Sequence, residues 1–76
     1  MISEHDRVVL KSDVPAHGLE AGDVGTVVHI YPDGQAYEVE FLTLIGETAA
    51  VATLSASQVR SVHEGEITHA RQMALA

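Results

Sequence analysis

The side chains best equipped for chemistry in this chain are its histidines, five in 76 residues: His5, His17, His29, His63 and His69. Neutral imidazole is the commonest metal ligand, and zinc needs three or four donors converging at about 2.0–2.1 Å. His17 falls in a long first loop and His29 in a β-branched run. In a small barrel that loop folds back near the strand it precedes. His17 and His29, with Asp13 or Asp23 adding oxygen, are therefore the candidate ligands for a divalent transition metal. The plainer reading makes His17 a loop residue bonded to nearby backbone and His29 a surface strand residue. The run from His63 to His69 does not form a zinc-protease signature, which needs its second histidine four residues after the first on one helix face. Ile67 stands at that position, and Gly65 would weaken the helix.

The acids come next. Glu38 and Glu40 share one strand face, about 6.6–6.8 Å apart along the backbone, a separation that glycosidase carboxylates also use. Alternation with Tyr37, Val39 and Phe41 already explains them as the wet side of a strand. A chain of 76 residues also lacks room for a sugar cleft. The sequence holds no Gly-x-Ser-x-Gly elbow, no phosphate-binding Gly-x-x-x-x-Gly-Lys loop and no cysteine, so thiol nucleophiles, disulfides and thiolate zinc are excluded. The expectation is a protein that is not an enzyme. Four Lys and Arg stand against eleven Asp and Glu, a net charge of −7. That sign opposes direct binding of nucleic acid. Glu20, Asp23, Asp33, Glu38, Glu40 and Glu47 could instead cover a face opposing a basic partner, or serve only to keep a small protein soluble.

These residues are positioned by short strands between turn signals. Arg7 to Leu10 is β-branched, and Pro15 and Gly18 break the chain after it. Gly22 and Gly25 flank Asp23 in a tight diverging turn. Thr26 to Tyr31 is the clearest strand, and Pro32-Asp33-Gly34-Gln35 reads as a hairpin turn. The alternating strand around Tyr37 to Phe41 follows, and the chain turns at Gly46. A strand over Thr48 to Leu54, a polar 3₁₀ insert at Ser55 to Gln58 and a final strand over Val59 to Val62 complete the pattern. Five such strands predict a mainly β fold, a small closed or half-closed barrel over residues 1–63. Residues 64–76 form a tail in which Ile67, Ala70, Met73 and Ala74 fall near helical spacing, so a short C-terminal helix is expected. With Leu75 they make an apolar stripe that could pack on the barrel or on a second copy, and a homodimer is expected. Three aromatics are too few for a groove that reads Pro-rich ligands. No apolar run approaches a membrane span and no secretory leader is visible, so a cytoplasmic location is expected.

The segment Gly22-Asp23-Val24-Gly25-Thr26-Val27-Val28 resembles the turn-and-strand opening of SH3-like barrels, and the resemblance implies a small five-stranded SH3-like barrel. Further motifs are Asp6-Arg7-Val8-Val9-Leu10, Pro15-x-His17-Gly18-Leu19, Gly22-Asp23-x-Gly25-Thr26-Val27-Val28, Tyr37-Glu38-Val39-Glu40-Phe41, Thr53-Leu54 and Gln58-Val59-Arg60. On these residues the whole chain from about residue 4 to 71 resembles the bacterial domain-of-unknown-function family DUF4926. Some members of that family are encoded beside small toxin-like proteins. The resemblance thus implies an antitoxin-like role and carries over no catalytic or binding residue. The resulting expectation is a non-enzymatic protein–protein interaction module, the antitoxin or inhibitor of a small basic enzyme. Its contacts would be Asp33, Glu38, Glu40 and Glu47 on the acidic face, with Arg71 and Met73 on the tail. The alternative is a metal-binding module using His17 and His29.

Overall fold

The computed structural model describes residues 1–73. Its strands are β1 (Arg7–Leu10), β2 (Val24–Ile30), β3 (Ala36–Leu42), β4 (Thr48–Ser55) and β5 (Val59–Ser61). All neighbours are antiparallel, in the order β4-β3-β2-β1-β5. One 3₁₀ turn, Pro15–His17, interrupts the first loop, and another, Ala56–Gln58, links β4 to β5. The second is closed by Gln58, whose Oε1 accepts from the Ser55 amide at 2.8 Å.

Strict alternation on β3 builds the centre of the sheet. Tyr37, Val39 and Phe41 are buried, while Glu38, Glu40 and Leu42 lie on the other face. Val39 stands opposite Val27 of β2, and neither exposes any surface to solvent. Val8, Leu10, Leu19, Ala52, Leu54 and Val59 join them in one core. Burying an aliphatic side chain of this kind contributes about 1.5–3 kcal/mol.

Two glycines of the first turn act for different reasons. Gly22 has φ +95°, a left-handed conformation that L side chains rarely adopt. Gly25 has no positive φ. A Cβ there would meet the Val39 side chain at 2.5 Å and Phe41 at 2.9 Å. It is needed for close approach of β2 and β3, not for a left-handed backbone. Gly34 at the β2–β3 hairpin has φ +69°, as that turn requires.

Two expectations are corrected. The sheet is not a closed barrel, because β4 and β5 remain its two separate edges. Register shifts between Val27 and His29 and between Phe41 and Leu42 bend it without joining them. The helix expected in the tail is also absent among the described residues: those from 62 to 73 form a turn and irregular chain. Gly65 sits at φ +85°, and long-range contacts described below hold the segment in another path. Helical spacing alone cannot nucleate so short a helix. Ile67 is 91% exposed instead of lying on a packed stripe. Ala74 and Leu75 lie outside the described residues. No helix among those residues is long and apolar enough to cross a membrane.

Candidate functional site

The acids fall into two regions with opposite surroundings. The first is the turn that leads into β2. Asp23 accepts from the Glu20 amide at 2.8 Å and so closes its own turn. It also receives a two-pronged guanidinium: Arg71 Nε reaches Oδ1 at 2.8 Å and Nη2 reaches Oδ2 at 2.6 Å. Arg71 Nη2 donates as well to the Gly18 carbonyl at 3.1 Å. Glu20 adds a looser ion pair at 3.6 Å. The Arg71 guanidinium holds the Asp23 carboxyl below its ordinary range, helped by the Glu20 amide and opposed by partial burial. The pairing pushes Arg71 up in turn.

A second clasp forms nearby. Arg60 on β5 donates to both oxygens of Glu66, at 3.0 and 2.7 Å, and the His63 amide donates to the same carboxylate at 2.5 Å. The Arg60 guanidinium, with that amide, lowers Glu66 from 4.5 to about 2. The two clasps fasten residues 63–71 onto the sheet and the first turn. Met73 then packs partly buried against the core beside Gly18. Arg71 and Met73, expected to meet a partner, are both engaged within the chain. A cleft of about 470 Å³ remains between this strap, the first turn and the end of the β3–β4 hairpin, where Leu42, Leu44 and Ile67 line it.

The second region is the wet face of β3. Glu38 accepts from Thr53 Oγ1 of β4 at 2.5 Å and from Tyr31 Oη at 3.1 Å. Glu40 accepts from Thr48 Oγ1 of β4 at 2.7 Å. Among the described residues neither carboxylate has a cationic partner. Hydroxyls orient these acids without neutralising them. Asp33 caps the hairpin by accepting from the Gln35 amide at 2.9 Å. Glu47 is exposed in the β3–β4 turn, its amide bonded to Thr43 Oγ1. The structure thus unites Glu38 and Glu40 on one surface and gives Asp33 and Glu47 places at the two ends of β3.

The histidines are not brought together. His17 ends the first 3₁₀ turn, next to Gly18 and hence to the Arg71 clasp. His29 lies six residues beyond Asp23 along extended chain, about 20 Å away at 3.3 Å per residue. It meets Tyr31 edge to face, ring centroids 4.9 Å apart. Asp23 is occupied by Arg71, and Asp13 accepts from the Ala21 amide at 2.8 Å. Among the described residues no group of three or more His, Cys, Asp or Glu is placed to hold a metal ion.

The residues missed from sequence are Tyr31, Thr48 and Thr53, which aim the glutamates, and the pairs Arg60–Glu66 and Arg71–Asp23. The first three are ordinary strand residues until the register is known. A chain with so few cations did offer one signal for the pairs: each arginine has acids to choose from and must be accounted for.

The protein is thus an open five-stranded antiparallel sheet with a strapped tail and, among the described residues, two glutamates on one face without a cationic partner. The model of the family described as Domain of unknown function (DUF4926) matches residues 4–61, and the chain belongs to that family. The clasped tail lies beyond the matched segment. No curated protein and no solved structure matches the chain.

Proposed function

We propose that this chain is a non-enzymatic interaction module whose acidic sheet face binds a basic protein. The observation that carries the reading is the state of Glu38 and Glu40. Both are fixed in direction by hydroxyl donors, and among the described residues neither has a cationic partner. Elsewhere two of the three arginines, Arg71 and Arg60, are held by the chain's own acids, Asp23 and Glu66. Leaving two ordered carboxylates without a cation sets up a surface whose complement is positive. A small basic enzyme held in check by this face, an antitoxin-like arrangement, is the sharpest form of the reading.

The fold fits a half-open SH3-like barrel. The strand order β4-β3-β2-β1-β5 and the 3₁₀ turn between the edge strands support that architecture.

The test is capture by the wild-type chain against the double variant Glu38→Gln, Glu40→Gln. A small basic protein retained by the wild type, released by salt and not retained by the variant supports the reading. Equal retention by both overturns it.

A further inference from the structure

The two edges of the sheet are finished differently. β5 is three residues long, and its Arg60 is clasped to the tail. β4 is eight residues, Thr-Ala-Ala-Val-Ala-Thr-Leu-Ser, with no charge, proline or glycine. Its inner side pairs with β3 along its length. Among the described residues, no backbone group of residues 49–54 bonds to anything outside that ladder. Exposed edges in folded proteins are usually blunted by charge, proline, brevity or cover. On β4 the one such device is the register shift near its start, between Phe41 and Leu42 of its partner.

We propose that β4 is a docking edge, on which an extended segment of the basic partner adds as a sixth strand with cationic side chains at alternate positions. The proposal rests on the acidic-face reading above and names how the partner is held. Main-chain bonds to a sheet edge give affinity, and alternate side chains give specificity. The charge is in the right place to select them. Thr53 draws the Glu38 carboxylate toward β4, and Thr48 draws Glu40 the same way. A sixth strand would lie about 4.8 Å beyond β4 and about 10 Å from β3. A lysine or arginine reaching back over β4 and a glutamate reaching out from β3 close that gap. Val51, half-exposed between them, would be covered by the aliphatic stems of those cations. A second copy fits less well. Pairing β4 with β4 would set the glutamates of the two copies about 14 Å apart with no opposing charge, and each chain brings a net charge of −7.

The experiment uses the full chain and a capped heptapeptide of alternating lysine and valine, titrated to millimolar concentration and followed by backbone amide NMR and hydrogen exchange. Two companion peptides replace lysine by glutamate, or carry N-methyl groups on alternate residues so that one edge cannot pair. The expected result is slowed exchange at alternate amides of β4, with binding about tenfold weaker for the N-methylated peptide and lost for the glutamate peptide. The N-methyl comparison needs no change to the protein, so it cannot fail through misfolding. Binding of lysine and N-methylated peptides alike, with shifts at Glu38 and Glu40 and no protection of β4, overturns the edge and leaves the acidic face standing. Equal binding of lysine and glutamate peptides overturns the acidic face. No binding of the lysine peptide, or protection of β4 in the free chain at dimer-forming concentrations, overturns the proposal.

Discussion

Asp23 and Glu66 at the tail, and Glu38 and Glu40 on β3, are carboxylates of one protein treated in two ways. The first two receive two-pronged guanidinium bonds from Arg71 and Arg60. The second two receive hydroxyls. An arginine neutralises an acid and makes it part of the fold. A threonine hydroxyl only points it. The same contrast runs through the edges those acids flank, one clasped by the tail and one bare. The difference separates acids that hold this small domain together from acids left for something outside it.

Substitutions can break that contrast, and the largest effect belongs to the seam both regions share. Gly25→Ala drives a methyl into Val39 and Phe41 and should cost about 1–3 kcal/mol in urea unfolding. Asp23→Ala removes the cap of the first turn and the seat of Arg71 together. It should cost about 1 kcal/mol and raise amide exchange across residues 66–73. Acid should open the second clasp. Glu66 is held at about 2 in the folded chain against an ordinary 4.5. The stability it adds is therefore complete above about 4.5 and is lost as pH falls toward 2. The lowered Asp23 moves in the same direction. Carboxyl chemical shifts against pH should show the Glu66 transition near the lower end of that window, and Arg60→Ala should return it toward 4.5. The smallest effect on stability is expected on the other side. Glu38→Gln with Glu40→Gln leaves one carbonyl oxygen at each position to accept a hydroxyl, and at 38 the new amide N–H can donate to the other hydroxyl, so unfolding should move by no more than about 0.5 kcal/mol. A larger loss would mean that these acids also belong to the structural class.

The strands were legible because their signals are local. Alternation across Tyr37 to Phe41 set the buried face and the wet face of β3, and Pro32 to Gln35 marked the hairpin. The strand ends fall within two residues of those read from propensity. The tail was misread because its path is settled by partners far away. Ile67, Ala70 and Met73 have helical spacing, but Arg71 reaches an acid 48 positions earlier in the chain. A local pattern carries no trace of that contact. Whether the barrel closes is hidden for a related reason, since strand number and turn length do not say whether the first and last edges of a sheet meet. At the site, Glu38 and Glu40 could be found from alternation alone. Their donors could not, because Thr53 faces Glu38 only in the observed register, and Thr48 reaches Glu40 across an irregularity at the end of β4. The histidine set rested on a loop folding back to His29. The loop folds instead onto the other end of β2, where Asp13 and Asp23 close its turns.

The most direct measurement is calorimetric affinity for the captured basic partner, taken with the wild type, with Glu38→Gln, Glu40→Gln, and with Glu64→Gln as an exposed acid off the β3 face. The account predicts binding about tenfold weaker for the double variant, with a shallower dependence on salt, an unchanged melting temperature, and no change for Glu64→Gln. Equal affinity for all three chains, or the same loss from Glu64→Gln as from the pair, would contradict it: the negative charge would then act as a whole and not through two aimed carboxylates.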